Sequence, residues 1–285
     1  MFDRSPEPRI LTTVRPTAVT VGWGYEPLRF GRGLPMSGFA ARRDHSATAL
    51  TPGPEAIAMA VGDEVIVALD VIGVDRELAD MITESARLPN DVILTATHTH
   101  SGPGILPGRL GACSEEARTL AANAAATAAR RALDSAGGCT LEWLEPAMPG
   151  LAHDRRRRRV AWDAQLRALR WKSGGYVTGY LVSYPCHPSI IGSTNTHLSP
   201  DYPGYLRTRI QEATGCPVIF LTGCAGDVNA GYSERASSQR NHDIGRTPSD
   251  ADLFGTTLAE ALLAGRWQPV DMSAGVATRR ADVDA

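Results

Sequence analysis

No sign of charge dominates this chain: 29 lysines and arginines stand against 31 aspartates and glutamates in 285 residues. So close a balance supplies no long-range field to recruit a nucleic acid or an anionic membrane, and a small or neutral molecule is the expected partner. Close CxxC pairs are missing as well. The five cysteines, Cys113, Cys139, Cys186, Cys216 and Cys224, are odd in number and scattered, which excludes a structural zinc knuckle and reads as reduced thiols of a cytoplasmic protein. The opening MFDRSPEPRILTTVRP interrupts any apolar stretch with charge and proline, so it does not read as a secretory signal. No later segment reaches the roughly 18 apolar residues of a membrane span. Repeats and low-complexity linkers are absent. Aromatics make up only 6% of the chain, yet 43% is hydrophobic, ample for the core of one large domain.

What is present is an α/β rhythm. Residues 1–50 are rich in Gly, Pro and Arg; their turn formers forbid long regular elements and suit an ordered loop layer, with Trp23, Tyr25, Phe30 and Phe39 needing burial. IAMAVG and EVIVALDVIG read as two strands joined by a Gly-Asp turn, the second too apolar to face water on either side. Helical spacing of Leu78, Met81, Ile82 and Leu88 predicts a helix over 76–88, followed by a strand DVILTATH. Ser114 caps an alanine-rich helix over 115–136, with Glu115 and Glu116 in its first turn and Gly137-Gly138 as its stop. CTLEWLEP, RVAWDAQLRALRW and YVTGYLVSYP read as an antiparallel meander. Helices over 202–214 and 250–264 flank a further strand, PVIFLTG. The expected fold is a single α/β domain, a mixed β-sheet flanked by helices.

Three of these strands finish in polar, turn-rich sequence: TATHTHSGPG at 95–104, VSYPCHPS at 182–189 and FLTGCAGDVNAG at 220–231. Ligands of open α/β sheets bind beyond the carboxyl ends of strands, so the three segments should line one crevice. In THTH, His98 and His100 are two residues apart. On an extended strand both rings would leave the same face, with Cα atoms roughly 7 Å apart, to share one metal or to flank one substrate atom. His187 offers a third nitrogen, and three protein ligands with one open position are the usual arrangement of catalytic zinc. The SGPG that follows, with Gly102, lets main chain approach a ligand closely.

ATHTHSGPG at 96–104 resembles the signature of neutral/alkaline, non-lysosomal ceramidases. YPCHPSIIGSTNTHLSPDYPGY, with Ser199-Pro200-Asp201 and Gly204-Tyr205, resembles their second zinc-histidine segment, and GCAGDVNAG at 223–231 resembles their NAGDVSPN-like loop. The resemblance spans about residues 18 to 250. It implies that residues 1–285 correspond to the N-terminal catalytic domain, that His98 and His187 bind zinc, and that His100 stays near the metal-bound water or the substrate carbonyl. The implied reaction is hydrolysis of an N-acyl amide, ceramide-like and therefore small and lipid-like, by metal-activated water.

Two departures accompany the match. Asn229 stands where the family has a serine; a carboxamide cannot act as a nucleophile but can orient substrate. The glutamate and tyrosine that complete the family's zinc site, further toward its C-terminus, have no counterpart before Ala285. The chain is then a piece of a longer one, borrows ligands from a partner, or uses His100 or Asp201 in their place.

Arg155, first of five consecutive arginines, corresponds to a family segment whose arginine lies near the active site; alternate arginines of a strand point to opposite faces, so about half could reach one pocket. Asp201 and Asp227 are substrate-side candidates, Asp201 also as a partner fixing a ligand histidine. As caps or turn closers they would be purely structural. His45 is read as structural or substrate-lining, and Cys186 and Cys224 as small buried thiols. A barrel-type amidohydrolase also carries a strand-borne HxH, but on its first strand, whereas His98 follows at least two. A non-catalytic ligand-binding relative is the remaining alternative, and a homo-oligomer is left open.

Overall fold

The structure is a computed structural model and describes residues 19–42, 46, 48–108, 111–156, 160–162, 164–232, 235 and 246–272. His45, the arginines at 157–159 and the opening segment fall outside them.

In chain order the elements are β1 (Thr20–Pro27), β2 (Glu55–Val61), β3 (Glu64–Leu69), α1 (Arg76–Ala86), β4 (Ile93–Ala96), α2 (Glu115–Asp134), β5 (Gly137–Gly138), β6 (Thr140–Leu144), β7 (Ala152–Asp154), β8 (Val160–Trp162), β9 (Arg167–Ser173), β10 (Tyr176–Tyr184), α3 (Tyr202–Thr214), β11 (Val218–Thr222), β12 (Val228–Asn229), α4 (Pro248–Leu263) and β13 (Gln268–Val270). They build an α/β fold. The expected single sheet is three sheets among the described residues: β4-β3-β2-β1-β5, β11-β10-β9-β6-β13, and a small β12-β7-β8. Each large sheet is mixed, with β3–β4 parallel in one and β10–β11 parallel in the other.

Alternation along the strands explains the layering. In β2 and β3, Ala56, Ala58, Ala60, Val65, Val67 and Leu69 pack with Leu78 and Ile82 of α1 and the alanines of α2. Their neighbours Ile57, Met59 and Ala68 face the opposite way and meet Trp171 and Ile219 of the second sheet. In β11, Val218 and Phe220 turn to Leu206 and Ile210 of α3 and Leu258 of α4. The result is helices, sheet, sheet, helices. Strands buried on both faces must be apolar at every position, which is why EVIVAL and VIFLT look continuous rather than alternating.

Several sequence expectations change. The glycine-rich start holds an eight-residue strand, β1, because Gly22 and Gly24 are not turn residues. A Cβ on Gly22 would lie 1.9 Å from the Ala132 carbonyl oxygen and one on Gly24 2.0 Å from that of Ala128, so both glycines admit α2 onto the sheet. Gly24→Ala is therefore expected to cost about 1–3 kcal/mol through overpacking, read as a lower urea midpoint. Tyr25 is exposed rather than buried. RVAWDAQLRALRW is divided between β8 and β9, which belong to different sheets. Ser114 does cap α2, its hydroxyl accepting from Ala117 N–H, but the helix ends at Asp134, before the two glycines, which form β5. Thr247 opens α4 with a capping box, two residues earlier than its periodicity suggests.

Candidate metal centre

The histidines lie past the carboxyl ends of the two parallel strand pairs. β4 stops at Ala96, and His98 takes φ 67°, left-handed backbone that a β-carbon makes unfavourable. The extended-strand geometry expected for THTH is therefore replaced by a turn, and it is this turn that brings the rings together. Ring centroids are 5.3 Å apart for His98 and His100, 4.9 Å for His98 and His187, and 5.5 Å for His100 and His187. One nitrogen from each ring falls within 4.8 Å of the others. That span is comparable with the roughly 4 Å bridged by two zinc–nitrogen bonds of about 2.0–2.1 Å.

Main-chain groups hold the cluster. His98 N–H donates to the Val71 carbonyl and its Nδ1 lies 2.6 Å from the Ile72 oxygen. His187 Nδ1 lies 2.6 Å from the Ala225 oxygen. A carbonyl oxygen only accepts, so both Nδ1 atoms carry the proton and both Nε2 atoms keep a lone pair for a ligand. The two histidine loops are laced together: His100 N–H donates to Pro188, Thr99 hydroxyl to Ser199 and Ser199 N–H to Ser101. Thr222 hydroxyl, at the end of β11, donates to the Thr97 carbonyl at 2.5 Å.

His100 is covered by the N-terminal loop layer. The Phe39 ring stacks edge-on at 4.8 Å, and a β-carbon on Gly38, whose φ is 104°, would be 2.7 Å from His100 Cα. Arg42 donates to the His100 and Ser37 carbonyls with one nitrogen and to Ser193 and Gly192 with the others. Both His100 ring nitrogens are nevertheless buried without a hydrogen-bond partner. One of these two nitrogens could serve an ion as a ligand, and three neutral imidazoles are a donor set suited to zinc. The residues present fit such an ion.

Burial lowers the pKa of all three imidazoles, that of His187 to about 4, with the neighbouring histidines adding to the effect on His100 and His187 and Arg155 on His98 and His187. The sign for stability follows. Below about pH 6.5 the unfolded chain binds protons on these rings that the folded chain refuses, so the metal-free protein loses stability as pH falls from 6.5 through about 4. For His187 alone this amounts to as much as about 3 kcal/mol. Urea midpoints compared between pH 7.5 and 4.5 should fall more for the unaltered chain than for His187→Gln.

The other sequence candidates are placed as follows. Arg155 follows β7, and its N–H donates to the Asp227 carbonyl in the loop that receives His187. Asp227 itself is half-exposed and pairs with Arg156 at 2.9 Å. Asn229 is buried; its side-chain oxygen accepts from Gly231 and Tyr232 N–H and its amide nitrogen donates to the Tyr232 carbonyl, closing that turn. Asp201 caps α3, accepting from Ile190, Ile191 and Tyr202 N–H, so its carboxylate fixes the chain just after His187 rather than a histidine ring. Burial pushes its pKa up to about 6. Gly102 is buried beneath the N-terminal layer, its carbonyl accepting from Ser37 N–H. Cys186 is buried but Cys224 is exposed, and all five cysteines are free.

Sequence reasoning missed Arg42 and Arg246. Arg246 donates to the Ser189 and Ile190 carbonyls and stacks on Phe39 and Tyr232, at 5.2 and 4.5 Å from their centroids. No motif marks either arginine. It missed Asp70 too, whose carboxylate, fully buried, takes both arms of Arg207 and the Thr97 hydroxyl beside His98.

Fold and site together define an α/β protein with a candidate three-histidine metal centre. Its architecture is that of the crystal structure of neutral ceramidase from Pseudomonas aeruginosa, with a TM-score of 0.66 at 17% identity over 87% of this chain and 45% of that one. A ceramidase complexed with C2 gives 0.67 at 18% identity over 85% and 43%. This chain thus spans less than half the length of either. No protein-family model matches it, and no curated protein does. No helix among the described residues is long and apolar enough to cross a membrane.

Proposed function

We propose that this chain is a zinc-dependent hydrolase of N-acyl amides, related in activity to the ceramidases whose fold it shares, with residues 1–285 as the catalytic portion. His98 and His187 hold the ion through Nε2, and His100 is the third nitrogen donor. The observation that carries this reading is the pair of pinned, neutral imidazoles on separate strand ends that face a buried third ring whose nitrogens have no hydrogen-bond partner.

Zinc, when bound, supplies a Lewis acid for the amide carbonyl and lowers the pKa of water toward about 7. The chain does the rest. Ile72 and Ala225 hold the two tautomers, Phe39 and Gly38 keep solvent from His100, and Arg155 provides positive charge facing the substrate. Asp201, Asp227, Asn229 and Gly102 shape the loops around it.

The test is hydrolysis of an N-acyl amide by zinc-loaded protein. Activity should vanish on chelation, return with zinc and be lost in His98→Ala. Metal-free protein that binds an N-acyl amide without cleaving it, zinc or no zinc, would instead make the chain a ligand-binding relative.

A further inference from the structure

Seven buried side-chain nitrogen or oxygen atoms have no hydrogen-bond partner among the described residues, and four belong to the histidine cluster or the strand beside it: both ring nitrogens of His100, Nδ1 of His153 and Nε of Arg155. An ion would account for one nitrogen of His100. It cannot account for Arg155, because a guanidinium only donates and binds no cation. What is missing there is an acceptor.

The surroundings narrow its chemistry. His153 and Arg155 are two residues apart, in the middle of and just beyond β7, which pairs with β12 through His153–Asn229 and Asp154–Val228. Val228 accepts from His187 N–H, so the two orphans stand next to the loop that holds a ligand histidine. Among the described residues the nearby acids are committed elsewhere: Asp227 to Arg156, Asp154 to Arg156 N–H, and Asp201 to three main-chain N–H groups. Arg42 and Arg246 bring two more guanidinium groups to the far side of His100, both bonded to carbonyls. Among the described residues the site therefore holds uncharged imidazoles among cations, with no carboxylate left to balance Arg155.

We propose that the substrate supplies that carboxylate: the chain hydrolyses N-acyl amino acids, whose carboxylate lies beside the scissile amide and is held by Arg155 with His153. The proposal rests on the reading of the chain as an N-acyl amide hydrolase. The amide C–N bond breaks, the hydroxyl of water goes to the acyl carbon and its proton to the amine, releasing a carboxylic acid and a free amino acid. One guanidinium and one imidazole N–H suit the two oxygens of a carboxylate, whereas a phosphate dianion would call on more donors than these.

The experiment uses the full chain loaded with zinc, an N-acylglycine and the N-acylethanolamine of the same acyl chain, which lacks the charge. Hydrolysis and calorimetric binding are both measured. N-acylglycine should be preferred, and Arg155→Gln should cut its kcat/KM and its affinity by about 10- to 100-fold, a loss several times larger than that on the ethanolamide. Arg155→Lys should recover part of the loss, and His153→Ala should show a smaller one. Preference for the ethanolamide, or equal losses on both compounds in Arg155→Gln, overturns the proposal and leaves the hydrolase standing. N-acylglycine bound through Arg155 but not cleaved would sink the hydrolase reading and keep the carboxylate site. Failure to bind N-acylglycine at all removes the site whatever the activity.

Discussion

On the proposed reading, His187→Ala should purify with almost no metal where the unaltered chain should hold about one zinc per molecule, and its amide hydrolysis should drop at least about a thousandfold. The size of the effect comes from geometry. His98 and His187 approach from opposite sheets, one pinned by Ile72 and the other by Ala225, so neither can swing to compensate for the other. Removing one leaves two nitrogens, too few to retain a catalytic ion. The fold should survive, since His187 is held by its own main chain, with N–H donating to Val228. Unchanged far-ultraviolet circular dichroism alongside lost metal is the expected pattern; lost metal with lost structure would assign His187 a structural role instead.

The second large effect concerns stability. Asp70→Ala should cost about 3–5 kcal/mol, because it strands a buried cation. Arg207 on α3 is 1% exposed and Asp70 is fully buried; their two bonds measure 3.0 and 2.5 Å and cross from one half of the sandwich to the other. Glu55, 3.5 Å from the same guanidinium, is the remaining acid, and burial raises its pKa, which makes it a poor substitute. The same carboxylate accepts from Glu55 N–H and from Thr97 hydroxyl, so the loss also loosens the turn that aims His98. Replacing both partners, Asp70→Ala with Arg207→Met, should be less harmful than Asp70→Ala alone, as read from urea midpoints.

Much of this was legible in the residues. Both-face burial of EVIVAL, the Ser114 cap and the convergence of three strand ends follow from local chemistry, and so does the identity of the three histidines. The number of sheets does not. A strand covered by helices on one side and by a second sheet on the other reads the same as one between two helix layers, since both faces are apolar either way. The glycines of β1 were misread for a similar reason: the sequence shows a missing side chain but not the helix that needs the space, here Ala128 and Ala132 of α2. The rings of His98 and His100 come close, but a positive φ at His98 rather than strand pleating turns them inward. Arg42, Arg246 and Asp70 escaped notice because each acts through partners far away in the chain, and a lone arginine or aspartate carries no signature of where it will be buried.

X-ray absorption at the zinc edge of the metal-loaded protein tests the central claim most directly. Three imidazole nitrogens at about 2.0–2.1 Å are predicted, and no stoichiometric zinc in His100→Ala. A spectrum with no more than one imidazole, or sulfur from a cysteine in the first shell, would contradict convergence of His98, His100 and His187 on one ion.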